Sequence, residues 1–285
     1  MERRIRPKVG LILSISWFSV CIFCVIFGDF FPLPKWDEYD YDNLAARMFS
    51  KGHFLGTDYD GSDLLSGLVH GARTSLGISV ASVGASLIIG SALGITAAYR
   101  RGVVDSILSM FFNVFLSIPT IVLTLVLVAI FSSPTIDGSS NELPREVVLV
   151  FALTIAFIPI FGRLSRGSAL SWTGREFVLV AESIGMRRRE VLFRHIVPNV
   201  APSLISLFVL AIGLTIIAEG GFAIIGVGTA PGASWGSMLA KNRGELSLAP
   251  HTALIPAAVI AITVASLNYY GEYLRNRIDD REAKI

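Results

Sequence analysis

Leu76–Tyr99 reads LGISVASVGASLIIGSALGITAAY. Its length matches a helical bilayer crossing, because about 20 predominantly apolar residues span the hydrocarbon core. Within it Ser82, Ser86, Gly90, Gly94 and Ala98 recur at every fourth position. On a helix that spacing lines small side chains into one stripe. Lipid offers helices no hydrophobic drive to associate, so they pack by close backbone approach through small residues. The stripe predicts a centrally placed helix whose contact residues are Ser82, Ser86, Gly90 and Gly94. Two partners fit it: another helix of the same chain, or a second subunit.

Five further segments have similar character: Val9–Phe27, Val104–Phe131, Val147–Leu164, Val200–Ala218 and Thr252–Tyr270. Pro119 and Pro159 fall inside two of them and predict kinks where the ring removes a backbone donor. The whole composition agrees. Hydrophobic residues make up 53% of the 285 and charged residues 16%, and the mean hydropathy is +0.64. A soluble domain carries roughly a quarter charged residues, so this chain lacks the polar surface to coat a globule in water. It reads as an all-α integral membrane protein with six transmembrane helices. The first segment follows Arg3, Arg4, Arg6 and Lys8. Its apolar run is too long for a signal-peptide core and no small-x-small site follows it, so an uncleaved anchor is expected.

With the N-terminus in the cytoplasm, 17 of the 24 basic residues fall in cytoplasmic pieces, as the positive-inside bias requires. Both termini are then cytoplasmic. The organisation follows: residues 1–31 hold the N-terminus and first helix, and 32–71 form an acidic outer segment. Residues 72–275 form a five-helix core that includes a cytoplasmic loop at 163–198, and 276–285 form a cytoplasmic tail. A net charge of +2, with no basic run interleaved with aromatics, argues against nucleic acid as a partner. Membrane lipid is the expected environment.

Several chemical patterns fail on inspection. Cys21 and Cys24 spell C-x-x-C inside a spanning segment without the polar partners of a redox or zinc site, so packing cysteines are expected. Asp58–Asp63 begins like a calcium loop, but Asp63 stands where glycine is required and Val69 where glutamate is required. No metal site and no catalytic residue is therefore assigned. Gly232–Gly236 matches G-x-S-x-G, which keeps an intramembrane serine protease with Ser234 and His251 as a rival reading. Its serine lies in a Pro/Gly loop rather than at a strand-to-helix elbow. No G-x-x-x-x-G-K-[ST] occurs, so the chain cannot cradle nucleotide phosphates in a P-loop, and any ATPase must be a separate chain. Glu219, at the outer end of the fifth segment, is a functional candidate by its depth, as a pathway or outer-gate residue. A hydrated interfacial position is the alternative.

The cytoplasmic loop Arg175–Asn199 reads REFVLVAESIGMRRREVLFRHIVPN. Phe177, Val180, Ala181 and Ile184 make one apolar helical face, flanked by Glu176, Glu182 and the run Arg187, Arg188, Arg189. Gly185 permits a turn, and Val191, Leu192 and Ile196 form a second apolar piece. A short helix of this kind suits a groove on a partner or the lipid headgroups.

The loop resembles the EAA loop of bacterial ABC-importer permeases. Leu179-Val180-Ala181 stands in the E-A-A place, Gly185 is the glycine, and Phe193–Asn199 is similar to the F-R-H-I-L-P-N ending of peptide permeases, closing at Pro198-Asn199. Leu179 stands where that family usually has glutamate, with Glu176 and Glu182 close by. Leu55-Gly56-Thr57-Asp58 with Gly61, Asp63, Ser66, Gly71, Arg73, Ser75 and Leu76 resembles the outer motif of the C-type permeases of the dipeptide/oligopeptide/nickel group. There Ser62 and Gly67 replace two arginines. Ile225–Gly228, Ser234–Leu239 and Ala249-Pro250 follow the same group's closing order.

The resemblance implies a type I ABC-importer permease fold, placed in the bacterial cytoplasmic membrane, with an EAA-type coupling helix. It implies a heterodimer with a B-type permease, two ABC ATPase subunits that bind ATP and Mg, and an extracytoplasmic substrate-binding protein. This chain itself would hold no cofactor. Di- or oligopeptide is the expected cargo, with nickel or another small solute as the alternative. Glu176, Val180, Ala181, Glu182, Gly185, Arg187, Arg188, Arg189 and Pro198 are the expected ATPase-coupling residues.

Overall fold

The computed structural model describes residues 8–131 and 143–282. The helices are α1 (Lys8–Phe27), α2 (Leu64–Arg100), α3 (Gly102–Ser117), α4 (Thr120–Phe131), α5 (Arg145–Thr173), α6 (Glu176–Ser183), α7 (Arg188–Val191), α8 (Val197–Ile225), α9 (Trp235–Asn242) and α10 (Pro250–Glu282). A π-helical turn, Leu192–Ile196, joins α7 to α8. Five stretches are long and apolar enough to cross a membrane, and α3 with α4 makes a sixth if that bent pair counts as one span. The sequence implied one kinked helix there. The structure instead breaks it by 91° at Ile118-Pro119, where proline has no N–H to donate and disfavours helical geometry in the residue before it.

The chain forms two compact units, Met1–Val80 with Ser132–Leu149 and Ile212–Tyr270, and Ala81–Phe131 with Val150–Ala211 and Gly271–Ile285. In the first, α1 lies along α10. Trp17 Nε1 donates to Thr263 Oγ1 at 2.8 Å, Phe18 meets Tyr270 edge to face, and Gly10 sits against the Tyr269 ring, where any Cβ would collide. Cys21 is buried and unbridged on this face. The rest of α1 is largely exposed, as a lipid-facing anchor must be.

The segment before α2 is irregular and held by its polar side chains. Asp63 caps α2, accepting from Ser66 N at 2.7 Å, an N-cap geometry that satisfies one orphan donor. His53 is clamped between Asp63 (Nδ1 to Oδ2, 2.8 Å) and Asp40 (Nε2 to Oδ2, 3.2 Å). Burial pulls its pKa down, but the bonds to the two carboxylates outweigh this and hold it above the ordinary histidine value. Lys241 on α9 reaches Asp58 and Asp60, both at 2.7 Å. Two of the carboxylates that mimicked a calcium loop, Asp58 and Asp60, are therefore engaged by an ammonium group and the third, Asp63, by His53, and among the described residues no His/Cys/Asp/Glu cluster could hold a metal.

In the second unit the small-residue stripe of α2 meets α5. Ser82 and Ser86 are fully buried. Ser86 Oγ donates to the Thr154 carbonyl at 2.9 Å. A Cβ on Gly90 would lie 2.6 Å from the Ile158 carbonyl oxygen, and one on Gly94 would come closer still to the Gly162 carbonyl oxygen and Ser165 Oγ. The stripe's partner in this structure is thus a helix of the same chain. Phe112 of α3 fills the space beside Gly162.

Candidate functional site

Two places concentrate the residues singled out from the sequence. The first is the 163–198 loop. Helix α5 ends at Thr173, and Arg175 stacks over Trp172 at 5.2 Å. Helix α6 then stops in a Schellman turn: Met186 N donates to the Ala181 carbonyl at 3.1 Å, and Gly185 adopts φ +84°. That conformation costs glycine nothing and strains any residue with a Cβ.

The buried face of α6 is Val178 and Ala181, 1% and 4% exposed. Phe177, Val180 and Ile184 are 40%, 59% and 74% exposed. This corrects the expected face, in which Ala181 was grouped with them. Positions 177, 180 and 184 share one helical side, whereas Ala181 points into the body of the unit with Val191 and Ile196, both fully buried. Glu176, Arg187, Arg188, Arg189 and Pro198 are all exposed. Arg187 N donates to Glu190 Oε2 at 3.2 Å. Pro198 occupies the first turn of α8, where a missing N–H does no harm. Glu182 lies in α6, but its side chain is outside the described residues.

The second place is the outer end of α8. Glu219 is 0% exposed, which overturns the hydrated interfacial position. Its Oε1 accepts from Ser234 Oγ at 2.6 Å. Its Oε2 lies toward the Gly236 backbone and Ser75 without completing a hydrogen bond. Ser234 Oγ also caps α9 by accepting from Ser237 N at 3.0 Å, and Thr229 Oγ1 donates to it at 3.0 Å. Trp235 N donates to Ser75 Oγ at 3.1 Å and its indole to the Leu68 carbonyl at 2.8 Å. Gly236 lets α9 approach α8 closely, since a Cβ there would stand 2.5 Å from Gly220 Cα. Ser234-Trp235-Gly236 is therefore a fastening that ties α9 to α2 and α8.

The protease reading fails on this geometry. Ser234 is fully buried with its hydroxyl committed to a carboxylate, and His251 Nε2 is taken by the Ala46 carbonyl at 3.1 Å. A base must reach the nucleophile's proton, and His251 is engaged elsewhere. No local pattern in the sequence pointed to the Glu219–Ser234 bond, because the two groups stand 15 positions apart, with the last turns of α8 and a glycine-rich loop between them.

Residues 90–284 match the family described as binding-protein-dependent transport system inner membrane component. The chain is 32% identical over 276 residues to the dipeptide transport system permease protein of Alkalihalophilus pseudofirmus, covering 96% of this chain and 85% of that one. It is 34% identical over 251 residues to the glutathione transport system permease protein of Pectobacterium atrosepticum, covering 88% and 79%. Among solved structures, the inward-facing MetNI methionine ABC transporter superposes with a TM-score of 0.61 at 17% identity, over 75% of this chain and 97% of that one. The chain belongs to the binding-protein-dependent transport system inner-membrane components. Its fold is that of the type I ABC-importer permeases, and it is a C-type permease subunit of such an importer, similar to the dipeptide and glutathione permeases.

Proposed function

We propose that this chain forms half of a translocation pathway for short peptides and couples it to ATP hydrolysis through α6. Its partners are a B-type permease, two ATPase subunits that hold ATP and Mg, and an extracytoplasmic substrate-binding protein. Both termini face the cytoplasm of a bacterial cell. The cargoes for which the two relatives are named, a dipeptide and glutathione, support a peptide substrate. The observation that carries the coupling role is the uncovered apolar side of α6. Phe177, Val180 and Ile184 are exposed on a loop that lies outside the apolar spans and carries Arg187, Arg188 and Arg189.

An apolar helix face rimmed by charge fits a groove on a partner protein, and the arginines add selectivity for an acidic rim. Closure of the ATPases would move α6, and the buried contacts of Val178, Ala181, Val191 and Ile196 would pass that movement to α5 and α8. Alternating access of this kind needs such a rigid link. Glu219 would keep the outer end of α8 fastened to α9 as the helices move. Val180→Asp tests the coupling: uptake of a labelled dipeptide into proteoliposomes should fall by about tenfold or more, as for a lost interface anchor. The ATPase should co-purify poorly while membrane abundance stays unchanged. Normal uptake by this variant would remove α6 as the coupling element.

A further inference from the structure

Helix α3 is apolar on one side and polar on the other. Val103 and Ile107 are exposed on the first side. Ser106, Ser109, Asn113 and Ser117 follow one another at three- and four-residue steps on the second, which places them on a single face. Ser106, Asn113 and Ser117 are exposed. At the start of the face Arg166 of α5 grips Asp105, through Nε at 2.5 Å and a second nitrogen at 2.8 Å, and Ser109 Oγ donates to the same carboxylate at 3.3 Å. These six residues, with Gly102, Met110 and Val114, line one open cavity of about 700 Å³. The face ends where the span breaks by 91° at Ile118-Pro119.

A row of hydroxyl and amide groups does not face hydrocarbon, because polar groups at membrane depth turn toward water, protein or a substrate. Irregular backbone at that depth is likewise tolerated where it lines a cavity, and transporters place binding sites at broken helices. We propose that the polar face of α3, from Ser106 to Ser117, is this chain's wall of the translocation pathway and contacts the peptide's backbone amides and termini. Ser106 and Asn113 offer both donors and acceptors, which suits an amide backbone of any side-chain sequence. Arg166 and Asp105 neutralise one another, so the wall carries no net charge to trap a zwitterion. Passage requires contacts weak enough to release the solute, and neutral hydroxyl and amide groups meet that condition. The cargo in this inference rests on the proposed peptide importer.

The test uses the assembled transporter with Cys21 and Cys24 replaced by alanine, labelled in inside-out vesicles and then reconstituted with its binding protein in proteoliposomes for uptake. Asn113→Cys is compared with Ile107→Cys, on the apolar side of the same helix. A charged, membrane-impermeant methanethiosulfonate is added, and labelling is read as the mass of this chain after denaturation. Asn113→Cys should react at least ~10-fold faster, since a thiolate forms in water and is suppressed in lipid. Its modification should abolish dipeptide uptake while ATP hydrolysis continues. Equal, slow labelling at both positions would overturn the assignment, showing the face covered by the partner permease or by lipid. Unimpaired uptake after full modification would overturn it as well. ATP-driven dipeptide uptake by the parent transporter, with only Cys21 and Cys24 replaced, tests the importer reading separately, so the two failures are distinguishable.

Discussion

Gly236→Ala is a sharp probe of the fastening at the outer end of α8. A Cβ at that position would lie 2.5 Å from Gly220 Cα, 2.6 Å from Glu219 Oε2 and 2.9 Å from Gly220 N. Non-bonded carbons settle about 3.5–4.0 Å apart, so α9 must retreat from α8 by about 1 Å. Overpacking of that kind costs about 1–3 kcal/mol. The retreat also stretches the 2.6 Å bond between Ser234 and Glu219, and a buried acceptor that loses its donor costs a further ~1–3 kcal/mol. Together these amount to about 2–6 kcal/mol and lower the apparent melting midpoint by roughly 4–24 °C at the usual 2–4 °C per kcal/mol. The assay is a thermal-stability scan of the detergent-purified transporter, read on the tagged chain. Two neighbours serve as controls. A Cβ on Gly221 meets nothing within 4 Å, and one on Gly220 comes no closer than 3.6 Å to Gly236 Cα, so both alanine variants should keep the wild-type midpoint. If Gly236→Ala melts with Gly221→Ala, the backbone contact between α8 and α9 is not there.

Three further outcomes follow from the geometry. Lys241→Met leaves Asp58, buried and bonded at 2.7 Å, without its cation. It should cost about 3 kcal/mol, whereas Asp60→Asn, at an exposed carboxylate, should cost below ~1 kcal/mol, both read by thermal midpoint. The raised pKa of His53 means that its ion pairs are fully present below the ordinary histidine value of about 6.5 and lost as pH rises through the folded-state value. Amide exchange in the outer segment should therefore quicken with pH in that window beyond its intrinsic rate, and His53→Asn should abolish the difference. Gly90→Ala, whose Cβ would meet the Ile158 carbonyl at 2.6 Å, should lower the yield of folded protein, while Gly84→Ala, with its nearest atom at 3.9 Å, should leave it unchanged. Equal yields would remove the close approach of α2 to α5.

The spans were legible because hydropathy reports the solvent a segment lives in, and lipid is a demanding solvent. The stripe from Ser82 to Gly94 was legible for the same reason: small residues at four-residue steps have few other uses in a membrane. What the sequence concealed was set by tertiary contact. Helix α2 begins at Leu64, inside the segment read as an outer loop, because Asp63 caps it and Trp235 anchors its first turns through Leu68 and Ser75. In α6, periodicity identified an apolar set but could not divide it. Only the neighbours of Val178 and Ala181 decide which members turn inward. Glu219 read as either a pathway residue or a hydrated one, because depth alone does not say what meets an acid. Its donor, Ser234, arrives from a loop whose course no local pattern encodes.

That last pairing has a consequence for biosynthesis. Glu219 emerges from the ribosome before Ser234, so α8 enters the membrane carrying a carboxylate whose hydrogen-bond donor has not yet been made. The helix can settle only after the next hairpin, with Trp235 and Gly236, has folded back onto it. Insertion of α8 and formation of the α9 hairpin are therefore one event, in which the later element completes the earlier. Substitutions at Ser234 should then show first in the quality-control machinery of the cell, as chains degraded during assembly, before any transporter reaches the stage at which its transport could be measured.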